Sequence, residues 1–143
     1  MTIGRLIANR DPAEVVTCEA EARLGEAVDC LAAHKIGAVP VMSRGQVVGI
    51  LSERDVIHRL HAEGARCLER HVADIMTAPA ITVERATQVA DALQLMTERR
   101  VRHLPVVEGG RMLGFVSIGD LVKDRIDEAT RDAEAMRHYI ATA

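Results

Sequence analysis

The sequence predicts a mixed α/β (α+β) chain: tandem β-α-β-β-α repeats packed about a pseudo-twofold axis, with an N-terminal arm and a long C-terminal helix. Three observations predict it. A shift of 65 residues, Thr17 against Thr82, aligns positions 16–60 with 81–125 without a gap. Apolar residues recur in both copies first at helical spacing and then in short, strand-length runs. Turn glycines correspond, Gly45 with Gly110 and Gly49 with Gly114. Further identities pair Glu19 with Glu84, Ala27 with Ala92, Pro40-Val41 with Pro105-Val106, Ser52 with Ser117 and Asp55 with Asp120.

Taken in order, residues 1–13 read as a capping helix or arm, and 14–62 as the first repeat. It opens on a β-branched segment, Val15-Val16-Thr17, continued by a helix with Leu24, Ala27, Val28 and Leu31 on one face. An apolar run, Ala38–Met42, reaches the turn at Arg44-Gly45. A second run, Val47–Leu51, completes a hairpin, because glycine turns between β-rich runs mark hairpins. A closing helix starts near Ser52. Residues 63–79 form a linker with its own short amphipathic stretch, Val72, Ile75 and Met76. The second repeat, 80–126, repeats the order: Ile81-Thr82-Val83, a helix on Val89, Ala92, Leu93 and Met96, a hairpin of His103–Val107 and Met112–Val116, and a helix from near Ser117. A unit of this size buries too little surface to stand alone, so the two must share a core. Residues 127–143 continue as helix. Ile126, Ala129, Ala133, Met136 and Ile140 form an apolar stripe that packs on the parent module or on a partner subunit.

Composition narrows the function. The 143 residues are 48% hydrophobic and 27% charged, as in a foldable globular chain. One Phe, one Tyr and no Trp leave almost no stacking platform for single-stranded nucleic acid, and a net charge of −3 provides no field for a DNA backbone. Three cysteines without a Cys-x-x-Cys spacing read as free thiols in a reducing, cytoplasmic setting. No run approaches the roughly 20 apolar residues of a membrane span.

Each copy closes on the pattern Gly-h-h-Ser-x-x-Asp, where h is apolar: Gly49–Asp55 and Gly114–Asp120. Each is preceded by an apolar element ending in Pro-Val, Ile36–Val41 and Val101–Val106. This tandem pattern resembles the CBS domain pair, or Bateman module, over residues 14–126, in particular small stand-alone bacterial members. The resemblance implies a cleft between the units with two pseudo-equivalent sites for AMP, ADP, ATP, S-adenosylmethionine or a dinucleotide such as NAD(H). In that family the aspartate of Ser-x-x-Asp holds the ribose hydroxyls, while the first strand and the segment before Pro-Val surround the base. The residues so implied are Thr17, Gly37, Ala38, Ser52, Arg54 and Asp55, with Thr82, Arg102, His103, Ser117, Gly119 and Asp120.

Ser-x-x-Asp has a second physical reading, a helix capping box with serine at the N-cap and the acid at N3. One residue can serve both purposes. The copies differ where a phosphate would lie. Gly37-Ala38 carries no charge, whereas Arg102-His103 resembles the basic pair of the γ subunit of AMP-activated protein kinase, and arginine contacts phosphate bidentately. The second copy, which carries Arg102, is therefore expected to hold the tighter site for nucleotides carrying phosphate. Arg99 and Arg100 read as a solvated helix end. His58 and His61 lie one helical turn apart without a third ligand and read as surface residues, so no metal site is expected. No Walker loop, Gly-x-Ser-x-Gly or His-Glu-x-x-His motif occurs in the sequence. The expected function is a regulatory adenine-nucleotide sensor, not an enzyme, that forms a homodimer and acts on a separate effector protein. It needs no cofactor beyond its ligand and contacts neither nucleic acid nor membrane. A purely structural dimerisation module is the rival reading.

Overall fold

Two β-hairpins, one from each repeat, set the frame of the molecule, and the computed structural model describes residues 1–142. A short helix α1 (Ile3–Leu6) leads into β1 (Cys18–Glu19), α2 (Leu24–His34), β2 (Ala38–Ser43), β3 (Gln46–Ser52) and α3 (Glu53–Glu63). The second copy contributes α4 (Val89–Arg99), β4 (His103–Glu108), β5 (Arg111–Ser117) and α5 (Ile118–Thr142). The first sheet has the order β1-β2-β3, and the second holds β4-β5.

Both hairpins form in the same register, Ala38 opposite Ser52 and His103 opposite Ser117. Their turns need two consecutive residues with positive φ, supplied by Arg44-Gly45 (52° and 77°) and Gly109-Gly110 (57° and 76°). The amphipathic helices bury the expected stripes, Leu24, Ala27 and Leu31 in α2 and Val89, Ala92 and Met96 in α4.

The opening strands depart from the sequence reading. β1 begins at Cys18, after the expected Val15–Thr17, and its counterpart shrinks to one parallel bridge, Val83 to Val106. Ladder hydrogen bonding starts only where the chain reaches β2 or β4: the Ala20 N–H donates to the Met42 carbonyl, and the Val83 N–H to that of Pro105. The preceding Val15-Val16 and Ala80-Ile81 pairs instead line clefts between the copies.

Neither repeat completes its own core. The linker segment packs on the first repeat, with Val72 and Ile75 buried beside Leu24, Val39 and Leu51. The N-terminal arm packs on the second, with Ile3 and Ile7 buried beside Val89, Leu104 and Val116. The backbone contacts match: the Val72 N–H donates to the Ala22 carbonyl, and the Ile3 N–H to that of Thr87. Gly49 and Gly114 admit these segments. A Cβ on Gly49 would lie 2.7 Å from Met76 Sδ and 2.8 Å from the Thr77 carbonyl oxygen, and one on Gly114 would lie 3.1 Å from Ile7 Cδ1.

The C-terminal stripe does not pack on its own module. Ile126, Met136 and Ile140 are 59%, 60% and 69% exposed, because α5 runs past the last element it could cover. Among the described residues no helix is long and apolar enough to cross a membrane.

If Ile3 belongs to the core of the second repeat, Ile3→Ala should cost about 2–5 kcal/mol in urea unfolding, the range for emptying a buried aliphatic site. A loss below about 1 kcal/mol would show the arm to be peripheral.

Candidate functional site

Two clefts of about 420 Å³ each lie between the copies. The first is lined by Gly37, Ala38, Ser52, Arg54 and Asp55 from the first repeat. Across from them stand Thr77, Ala80, Ile81, Arg102 and His103, from the linker and the second repeat. The second cleft is the reciprocal arrangement: Ser117, Asp120 and Phe115 face Val15, Val16, Ile36 and Ala38, with Arg10, Asp11 and Glu14 at its mouth. Shifting one lining by 65 residues reproduces much of the other, as a pseudo-twofold relation requires. Ala38 and His103 line both clefts, where the two hairpins meet.

Each cleft ends at a helix N-terminus. Ser52 accepts from the Asp55 N–H at 3.3 Å while Asp55 Oδ2 accepts from the Ser52 N–H at 2.9 Å. Ser117 and Asp120 repeat this box, at 3.1 and 2.9 Å. The capping reading therefore holds at both copies, and both carboxylates also face a cleft. Their remaining oxygens are engaged differently. Asp55 Oδ1 accepts from the Thr77 hydroxyl at 3.0 Å, whereas Asp120 Oδ1 lies 3.2 Å from the Arg10 guanidinium. Burial alone would raise the Asp120 carboxyl, but the Ser117 hydrogen bonds and Arg10 outweigh it and hold it below the usual carboxylate range.

The structure separates two residues that the sequence reading had grouped. Arg102 shares its cleft with Ser52 and Asp55, not with Ser117 and Asp120, because each cleft combines the closing-helix start of one copy with the segment before Pro-Val of the other. Thr17, Thr82 and Gly119 line neither cleft. Thr17 and Thr82 follow the lining residues Val16 and Ile81, where the chain passes from the cleft wall toward its own sheet, and Gly119 is exposed. Arg99 and Arg100 are exposed at the end of α4, as read, and also stand along the first cleft.

Three participants escaped the sequence reading. Arg10 and Thr77 reach the aspartates across 110 and 22 residues, respectively, with no local signal. Phe115, the chain's single Phe, stacks on His103 with centroids 5.3 Å apart, and its place between Gly114 and Val116 marked it only as strand. Burial holds the His103 imidazole below its ordinary value, with Asp120 and Glu53 opposing this and Arg102 adding to it.

The CBS domain profile matches residues 7–62 and 72–127. The chain belongs to the CBS domain family. It is similar to a CBS-domain containing protein of Agrobacterium tumefaciens, with 37% identity, 87% of this chain and 99% of that one covered, and a TM-score of 0.81. A mitochondrial CBS domain-containing protein of Arabidopsis thaliana is 35% identical over 86% of this chain, which spans 62% of that protein's length. The structure of CBSX2 in complex with AMP shares the fold at 23% identity, covering 90% of this chain and 98% of that one, with a TM-score of 0.76.

A lowered imidazole fixes a sign for pH. The folded state binds fewer protons at His103 than the unfolded state does, so stability is lost as pH falls through about 6.5, the unfolded value. Between pH 7.5 and 5.5 the wild-type Tm should fall further than that of His103→Gln. Equal falls would mean that the ring is not desolvated. The window lies above the Asp120 titration, whose contribution is lost only at lower pH.

Proposed function

We propose that the chain is a regulatory module that binds an adenine nucleotide between its two CBS repeats and passes the bound state to a separate effector protein. The observation that carries this reading is the pair of reciprocal clefts, each ending at a carboxylate fixed on a helix N-terminus. A carboxylate can accept from two adjacent ribose hydroxyls, and the positive end of the same helix dipole favours a phosphate, although the Glu53 and Ile118 N–H groups already donate to the Gly37 and Arg102 carbonyls. The AMP complex of CBSX2, which shares this fold, supports the ligand class. Asp55 and Asp120 are the proposed ribose seats, with Ser52 and Ser117 capping behind them. Ala38, Ile81, Val16 and Ile36 supply apolar walls for a base.

Regulation requires a ligand with different affinity for two arrangements of the molecule. A ligand spanning both repeats meets that requirement, because it touches elements whose relative packing can change. The proposed assembly is a homodimer. Ile57 and Val122, equivalent positions on α3 and α5, are 61% and 42% exposed, while their neighbours Val56 and Leu121 are buried in the module. Apolar side chains exposed at repeated positions suit a second copy better than water. The proposed setting is the cytoplasm, where Cys18, Cys30 and Cys67 stay as thiols. Burial, with Cys30 and Glu19 adding to it, pushes the Cys18 thiol up to about 11, so it is no nucleophile at neutral pH.

Saturating AMP should raise the wild-type Tm by on the order of 5 °C, since a ligand at 100 times its Kd stabilises by about 2.7 kcal/mol. Asp55→Asn keeps size and one acceptor, so the fold should survive while most of that rise disappears. A full rise in the variant would leave Asp55 as a cap only. Light scattering at micromolar concentration should give twice the chain mass, and Ile57→Asp with Val122→Asp should reduce it to the single mass. A wild-type monomer, with or without AMP, would refute the dimer.

A further inference from the structure

The two clefts are equivalent by duplication but opposite in charge. Arg54, Arg99, Arg100 and Arg102 line the Asp55 cleft against Glu53 and Asp55, a surplus of two positive charges with His103 neutral. At the Asp120 cleft Arg10 stands against Asp11, Glu14 and Asp120, a surplus of two negative charges. The difference arises at matched positions. Gly119 stands where the first copy has Arg54, Gly37 where the second has Arg102, and Glu14 where the second has Pro79.

The charges are also committed differently. Among the described residues none of those four arginines takes part in an ion pair. Arg10 spends its guanidinium on Asp120, at 3.2 Å to Oδ1 and 3.3 Å to Oδ2, while the Ser117 N–H holds Oδ2 at 2.9 Å. Both oxygens of Asp120 thus meet a cation from the N-terminal arm, and Oδ2 is held by the Ser117 N–H as well. At Asp55 the corresponding partner is the neutral Thr77 hydroxyl, which can rotate away without leaving a charge unpaired.

We propose that the chain takes one phosphate-bearing nucleotide, seated in the Asp55 cleft, and that Arg10 locks the Asp120 cleft, whose acidic lining admits only an unphosphorylated adenosine compound once the lock is removed. The proposal rests on the nucleotide reading above and sharpens it. The phosphate is drawn to the cleft with unpaired guanidinium groups and repelled from the one with surplus carboxylates. The lock is an exposed pair, 41% and 32% accessible on its two side chains, so it is weak and can be removed without touching the core.

Calorimetric titration of the full chain with AMP and with adenosine tests this. Wild type should bind one AMP per chain. Arg54→Ala with Arg102→Ala should weaken AMP roughly tenfold or more while changing adenosine little, because charged hydrogen bonds to the phosphate are what is lost. Arg10→Ala should keep AMP at one per chain and raise adenosine from one to two. Both variants alter exposed side chains, and an unchanged Tm without ligand checks their folding. Two AMP per wild-type chain, or AMP binding abolished by Asp120→Asn and not by Asp55→Asn, would overturn the proposal and leave the nucleotide reading standing. Absence of binding by both AMP and adenosine would overturn the two together.

Discussion

Ile3 and Ile7 are buried in the second repeat although they precede the first, and Val72 and Ile75 are buried in the first although they precede the second. This crossed completion of two half-cores is the constraint on which the other features depend. A unit of about 45 residues leaves its sheet face bare, and the cheapest cover is a neighbouring piece of chain. Because each cover is the run leading into the other copy, closing either core brings the two hairpins together. The clefts follow as the remaining space: each cover continues over the opposite hairpin, Asp11–Val16 past β5 and Thr77–Ile81 past β3, before reaching its own sheet.

The same crossing explains the division of labour at each cleft. The carboxylate comes from a closing helix whose start is fixed by its own capping box, and the facing wall comes from the other repeat. A ligand that bridges carboxylate and wall is therefore sensitive to how the halves sit against each other. His103 and Ala38 occupy the equivalent middle position, and the contact of His103 with Phe115 ties one strand of the second hairpin to the other at the point both clefts share. A small side chain at one equivalent and a ring at the other make the two clefts unequal from the start.

Much of this was legible in the sequence because it depends on local chemistry. Pro-Val with a following turn, Arg44-Gly45 or Gly109-Gly110, marked the hairpins, and Ser-x-x-Asp marked the starts of α3 and α5. The crossed arm was not legible. Ile3 matches Val72 at a shift of 69 residues while the rest of the repeat obeys 65, so a gapless comparison passes over it. For the same reason Arg102 was grouped with Asp120: sequence proximity places them in one copy, while the fold assigns each cleft parts of both. Val15–Thr17 has strand composition, but without a ladder partner at that point Val15 and Val16 become cleft wall. The α5 stripe shows its period plainly, yet periodicity identifies a face without saying what covers it.

Helix α5 begins at the cap that closes the Asp120 cleft and runs without interruption for 25 residues, to Thr142. At a rise of about 1.5 Å per residue it is a rod of about 37 Å, seated in the second repeat through buried Leu121 and Asp124 and exposed over most of its length beyond them. Geometry makes such a rod an amplifier. A tilt of about 5° where α5 leaves the module, near Arg125, sweeps its far end through about 2 Å. A displacement of that size is enough to move the apolar side chains near the tip from one set of neighbours to another.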